Sequence, residues 1–276
     1  MSLLSGCIQP PLLTLLSSTS SPSISPLFRP TIDSCPDSSI STLQDTSSYQ
    51  ASTSSKLVPH DRPKGCISHE VIHIQSPNPK NTYIQAGCSV TEYKKSLNKG
   101  KSKDEGYLPL GVEMPWMGLQ VKRLGKRGMS YEIGLVDNRG KEGVIRFSSF
   151  KKNPTVHPYR SPPMIHLPLQ LPLQTSSTLT PWMTIPIHLA PLIQLFHSLP
   201  RPQRHASDDE EDEASRKRRK VAELPNGSFG SVSYVRIYAN CRIRRIWFSA
   251  EGERTIQGMG KGVRDEWELY AADDIS

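Results

Sequence analysis

The stretch VRIYANCRIRRIWFS, residues 235–249, places aliphatic and basic side chains at period two. Val235, Ile237, Ala239, Cys241 and Ile243 share one parity, and Arg236, Tyr238, Asn240, Arg242 and Arg244 share the other. Successive side chains of a strand point to opposite faces, so this is a half-buried strand with a basic outer side. The alternation slips at Arg245, because Ile246 and Phe248 take over the apolar role alongside Trp247. A bulge or tight turn near 240–245 accounts for the slip. The reading predicts one extended ribbon whose guanidiniums, from Arg236, Arg242, Arg244 and Arg245, line up outward.

Upstream segments carry the same period. WMGLQVKRL puts Met117, Leu119 and Val121 on one face, and MSYEIGLVD does so with Met129, Tyr131, Ile133 and Leu135. The turn NRGKEG and the run VIRFSSF complete a hairpin signal. HEVIHIQ and TYIQAG are β-branched and are separated by the turn SPNPKN, while SLNKGKSKDEG reads as a charged loop. IHLPLQLPLQ alternates Leu167, Leu169, Leu171 and Leu173 with prolines, and WMTIPIHL repeats the arrangement. Proline donates nothing to a sheet ladder, so both segments belong at sheet edges. APLIQLFHSL switches to a helical period through Leu192, Leu195, Phe196 and Leu199. DEWELYAAD reads as a closing strand. Roughly ten short strands with one short helix predict an all-β fold, an antiparallel β-sandwich.

Composition divides the chain. Residues 1–64 are Ser/Pro-rich and predicted largely disordered, with 8–28 adding an N-terminal strand. Residues 65–199 form the first part of the sandwich, 200–229 a disordered charged insertion, and 230–276 the final part of the same sandwich. The chain carries a formal charge of +8. Residues 1–60 hold Arg29 and Lys56 against Asp33, Asp37 and Asp45, so the positive charge sits in the remainder. A basic folded region attracts acidic partners, whether a protein surface, nucleic acid or anionic lipid. The five cysteines are scattered without a C-x-x-C pair, which fits reduced thiols rather than a disulfide framework or zinc ribbon. Apolar runs fall short of the ~20 residues that span a bilayer, and MSLLSGCIQPPLLTLL lacks a basic n-region, so no membrane partner and no signal peptide are expected.

Several strings imitate catalytic motifs. HEVIH (His69, Glu70, His73) spells the zinc-protease sequence, whose chemistry needs both imidazoles on one helix face. Val71, Ile72 and Ile74 favour a strand, where residues four apart sit roughly 13 Å from each other. NGSFGSV and GMGKG lack the remaining signatures of nucleotide loops. No nucleophile–base or carboxylate pair stands out, so the expectation is a non-enzymatic protein without cofactor or metal. SRKRRK in 215–220 is a nuclear-import-like run carried by Arg216, Lys217, Arg218, Arg219 and Lys220, which implies an import receptor. Ser207, in RHASDDEED, is a candidate phosphorylation site beside it.

VRIYANCRIRRIWFS resembles the terminal signature of the cilia- and flagella-associated protein 20 family. VKRLGKRGMSYEIGLVDNRGKEGVIRFSSF resembles that family's central hairpin, and PPMIHLPLQL, TPWMTIPIHLAPLI and DEWELY follow in the family's order. The resemblance implies a single β-sandwich of jelly-roll type and a structural protein of axonemal doublet microtubules and basal bodies that supports cilium assembly and motility. Under that implication Arg236, Arg242, Arg244 and Arg245, helped by Lys122, Arg123, Lys126 and Arg127, face the acidic surface of tubulin. The competing reading is a nuclear adaptor whose basic strand meets an acidic protein or, less favourably in the absence of aromatic stacking motifs, nucleic acid. A third possibility is internal: Arg242 to Arg245 pair with acids of neighbouring strands, such as Glu132 or Glu268.

Overall fold

The computed structural model describes residues 2–4, 6–20, 26–45, 70–98, 108–171, 182–200 and 223–267. Two sheets face each other. One runs in the order β11 (Met183–His188), β6 (Trp116–Arg123), β13 (Cys241–Ser249), β4 (Glu70–Gln75), β3 (Ser39–Gln44), with β1 (Leu12–Ser17) also paired to β13. The other runs β2 (Phe28–Thr31), β5 (Tyr83–Gly87), β12 (Phe229–Tyr238), β7 (Ser130–Asp137), β8 (Glu142–Ser148), β10 (Met164–Pro168), β9 (Thr155–His157). Neighbours are antiparallel except β8 and β10, which run parallel. The aliphatic parity of each strand fills the space between the sheets: Met117, Leu119 and Val121 from β6, Tyr131, Ile133 and Leu135 from β7, and Ile237 and Ile243 from β12 and β13 are wholly buried there.

The β-sandwich is as the alternation predicts, and three local readings change. The serine-rich segment contributes β2 and β3 as well as β1. Ile40 and Leu43 bury only partly, which suffices for β3, because a strand at the sheet margin pairs its backbone on one side. The charged stretch after Cys88 opens as helix α1 (Val90–Asn98). Ser89 Oγ accepts the Thr91 and Glu92 amides at 3.2 and 3.4 Å, the first half of a capping box spelled Ser89-Val-Thr-Glu92. The buried Glu142 carboxylate takes the Val90 and Thr91 amides at 3.0 and 3.1 Å, so the helix's first turn is anchored to β8.

DEWELYAAD is the third change: its first three residues, 265–267, end a helix, and residues 268–273 lie outside the described residues. After α2 (Leu195–Ser198), which continues a 3-10 turn at Ala190–Gln194, two more short helices follow β13, α3 (Glu253–Gln257) and α4 (Lys261–Trp267). Helix α4 lies across the outer face of the first sheet, where Gln120 Nε2 donates to the Trp267 carbonyl at 2.6 Å and the Trp267 ring stands edge-on to Trp247 at 4.8 Å. These contacts outweigh the alternation of the segment. The prolines divide as expected in one case only. β11, with Pro186, lies at the sheet margin, whereas β10 is paired on both sides over Met164–His166 and leaves only its Leu167–Pro168 end unpaired on the β9 side. Among the described residues no helix is long and apolar enough to cross a membrane.

Candidate partner-binding surface

The quoted ribbon is two strands. β12 belongs to the seven-stranded sheet and β13 to the six-stranded one, and the chain passes between them at Ala239–Asn240. Four connections cross from sheet to sheet at this end of the sandwich and are laced together: Ser76 N donates to Asn240 Oδ1 (3.1 Å), Leu124 N to Asn240 O (3.1 Å), Ala239 N to Thr82 O (2.9 Å) and Asp33 N to Thr82 Oγ1 (3.1 Å). The arginines therefore do not make one outward row. Arg236 lies on the outer face of the seven-stranded sheet and Arg242 on the opposite face of the molecule. The expected irregularity is present: the β13–β6 register shifts between Ile243 and Arg245. Arg244 and Arg245 are 3% and 2% exposed, which corrects their placement as outward residues. Arg244 Nη1 donates to Gln120 Oε1 at 3.1 Å, and the Arg245 guanidinium sits 4.2 Å from the centre of the Trp267 ring, so α4 roofs both.

On the six-stranded face, Ser41, His73, Arg242 and Lys122 fall opposite one another across β3, β4, β13 and β6. Asp45, just past β3 and 1% exposed, closes this row as its counter-ion. Its carboxylate takes Lys122 Nζ at 3.1 Å, the Arg242 guanidinium and the Trp182 indole N–H. Arg242 Nε also points to His73 Nδ1 at 3.3 Å. Burial and the Arg242 charge lower the His73 pKa, so the imidazole is kept neutral. Beside this cluster a cleft of about 410 Å³ is lined by Trp182, Trp247, Trp267 and Ile256 among others. Trp247 lies flat over β6 because Gly118 has no side chain; a Cβ there would stand 2.1 Å from the indole.

The seven-stranded face carries a longer polar row. Arg29, Gln85, Arg236, Glu132, Arg146, His166 and Thr155 are register partners across β2, β5, β12, β7, β8, β10 and β9. Glu132, 6% exposed, meets Arg146 Nη1 and Arg236 Nη1 at 3.4 Å each. The guanidiniums are also held by rings. That of Arg236 lies 4.7 Å from the Tyr83 centre and donates to Gln85 Oε1 and Tyr238 OH, and that of Arg146 lies 4.5 Å from the Tyr238 centre. Burial first, then the Arg146 charge, lowers the His166 pKa to about 4. A second glycine, Gly134, makes room for the Tyr234 ring on this face. Above the row a cleft of about 370 Å³ opens, walled by Lys80, Glu92 and the Arg160–Pro162 loop and floored by Glu132, Arg146, Tyr234, Arg236 and Tyr238.

The remaining predicted cations differ in accessibility. Lys122 is committed to Asp45, and Arg123 Nε donates to the Gly125 carbonyl at 2.8 Å. Lys126 and Arg127, in the β6–β7 connection, are exposed, as is Lys80 in the β4–β5 connection. Of the two acids in the β2–β3 connection at the same end, Asp33 accepts from the Asn78 and Asn81 side-chain amides at 2.9 and 3.2 Å, and Asp37 is exposed. The basic end and the polar row are thus adjacent, joined through Lys80. Reading the sequence did not single out Lys80, Arg146, Arg160, Asp45 or the tyrosines. Glu132, named as a partner for Arg242 to Arg245, pairs instead with Arg236 and Arg146 on the other face, and Asp45 is the counter-ion of Arg242. Glu268, Ser207, His69 and the basic run Arg216, Lys217, Arg218, Arg219 and Lys220 lie outside the described residues. His73 is on a strand, as its β-branched neighbours predict, and among the described residues no group of three or more His, Cys, Asp and Glu is placed to hold a metal ion.

Comparison with known proteins agrees with this architecture. Residues 63–199 match the family model of the CFA20 domain. The matched stretch holds β4 to β11, and β12 and β13, beyond it, complete both sheets. No curated protein matches the chain.

Proposed function

The chain belongs to the CFA20 domain family, a cilia- and flagella-associated family, and from that premise we propose that it is a non-enzymatic structural protein that docks on microtubules of the axoneme or basal body and supports cilium assembly and motility. The observation that carries the reading is the basic end of the sandwich. Lys80, Lys126 and Arg127 are exposed on connections that the hydrogen bonds to Asn240 and Thr82 hold in fixed relation, against two acids of the β2–β3 connection, Asp33, held by the Asn78 amide, and the exposed Asp37. A rigid cationic end complements the acidic outer surface of tubulin. Such charges steer and orient association, so binding weakens as salt screens them. Of the arginines first read as the contact row, Arg244 and Arg245 are buried, and Arg242 and Arg236 are paired with Asp45 and Glu132.

Co-sedimentation tests this. The protein pellets with microtubules at low salt and is released as salt rises, and Lys126→Glu with Arg127→Glu reduces pelleting about tenfold while leaving the thermal midpoint unchanged. Absence from the pellet at low salt, or indifference to the double reversal, refutes the proposal.

A second reading, a nuclear adaptor for an acidic protein, rests on the run Arg216–Lys220. A fluorescent fusion that ignores replacement of those five residues by alanine removes its support.

A further inference from the structure

The cleft over the polar row has a charge balance that a general acidic surface does not need. Four cations line it, Lys80, Arg146, Arg160 and Arg236, against two carboxylates, Glu92 and Glu132, which leaves a formal excess of two positive charges in a concave space of about 370 Å³. That size lies within the range of small-ligand sites. Arg146 and Arg236 share Glu132 at 3.4 Å, a loose contact for a carboxylate, and the Tyr238 and Tyr83 rings fix their planes. Arg160, exposed at the rim, donates to the Met164 thioether at 3.3 Å, a weak acceptor, and among the described residues no carboxylate lies within ion-pair distance of it.

We propose that this cleft binds a phosphate monoester as its dianion, held by the guanidiniums of Arg146, Arg160 and Arg236 and the ammonium of Lys80. The planar fork of arginine matches phosphate oxygens two at a time, and guanidiniums already oriented by rings lose little freedom on binding. A dianion matches the excess of two, whereas a single carboxylate neutralises half of it. An extended acidic run meets Glu92 on the wall and Glu132 on the floor, so a compact, doubly charged group fits better. The ester is supplied either by a phosphorylated side chain of a partner protein or by a free small phosphate. Lys80 is common to this cleft and the basic end, but Lys126 and Arg127, whose reversal tests the microtubule reading, are not part of the cleft, and microtubules are not needed to test it.

The test uses the full chain, labelled with nitrogen-15, and follows arginine Nε–Hε resonances near neutral pH, where the phosphate is largely dianionic. Inorganic phosphate and O-phosphoserine, each titrated against sodium chloride at equal ionic strength, produce saturable shifts of several arginine signals, and serine produces none. Arg160→Gln, at an exposed position, weakens the phosphate response about tenfold without moving the thermal midpoint, and Lys80→Gln has a smaller effect in the same direction. A serine-phosphorylated peptide that binds more tightly than inorganic phosphate assigns the site to a protein partner, and equal binding assigns it to a free ester; either result supports the site. Shifts no larger than those from chloride, or an unchanged response in Arg160→Gln, overturn it.

Discussion

Each outer face of the sandwich holds one carboxylate between two cations from neighbouring strands, and each sets a neutral histidine beside an arginine. On the six-stranded face the group is Asp45 with Lys122 and Arg242, next to His73; on the seven-stranded face it is Glu132 with Arg146 and Arg236, next to His166. The faces part in what lies above them. Trp182 donates to Asp45, and α3 and α4 lay Trp267 over Arg245 and Trp247, so indoles hold the buried Asp45 carboxylate and the neighbouring Arg245, while Lys122 and Arg242 stay partly exposed. Tyrosines fix the guanidiniums of the second cluster from the side and leave a cleft above them. The same pairing chemistry thus adjoins an indole-lined cleft on one face and floors a cation-lined cleft on the other.

The sharpest way to break this contrast is to remove the buried carboxylate. Asp45→Ala leaves Lys122, Arg242 and the Trp182 indole without their shared acceptor in a site where Asp45 itself is 1% exposed. Stranding buried charge in this way costs about 3–5 kcal/mol. Urea unfolding measures it as a lower midpoint at unchanged slope. A loss under about 1 kcal/mol would mean that water or other acids replace Asp45 freely.

Acidification is the next probe. His166 in the folded protein has its pKa lowered to about 4, from 6.5, by burial and by Arg146. Between those values the unfolded chain takes up a proton that the folded chain does not, so stability falls as pH drops from about 6.5 towards 4 and levels off below. His166→Gln flattens that slope. His73→Gln acts in the same direction, since burial and Arg242 lower its pKa too. Asp137 does not contribute in this window: burial acts to raise its pKa, the Lys141, Gly227, Asn226 and Arg139 amides overcome that, and the net lowering adds pH dependence only in the acid range below the usual carboxylate pKa. A profile unchanged by His166→Gln would show that the ring is solvated and the second face more open than described.

The strands were legible because their aliphatic residues keep period two. The corner at Ala239–Asn240 was not, and the reason is geometric. A chain that crosses from one sheet of a sandwich to the other keeps its inward parity towards the same core, so Val235, Ile237, Ala239, Cys241 and Ile243 alternate without a break through the crossing. Period two tells inside from outside but not which outside, and Arg236 and Arg242 were therefore placed in one row when they lie on opposite faces. The counter-ions were hidden for a different cause. Asp45 sits in a serine-rich segment whose composition suggests no core role, and Glu132 meets Arg146 and Arg236 through register, which tertiary pairing sets. Helix α1 was readable, since Ser89-Val-Thr-Glu92 spells a cap, but the lysines after it gave the segment the look of a loop. For α4 no local signal competes with the alternation of DEWELY; the indole and guanidinium contacts of Trp267 decide it.

The smallest expected change in stability is the most informative about the open face. Glu132→Gln keeps an oxygen acceptor but removes the charge. Arg236 retains Gln85, the Tyr238 hydroxyl and the Tyr83 ring, and Arg146 retains Ser130 Oγ at 3.2 Å and the Tyr238 ring. The fold should lose about 1 kcal/mol, the scale of one hydrogen bond in a site that water reaches. Binding should move the other way. With one fewer carboxylate in the cleft its positive excess grows, and inorganic phosphate should bind several-fold more tightly by the same arginine resonances. If Glu132→Gln instead costs as much as Asp45→Ala, the two faces are equivalent and both clusters exist to hold the sheets. If stability barely changes and phosphate binding weakens, Glu132 is needed to orient the guanidiniums, and charge balance alone does not govern the cleft.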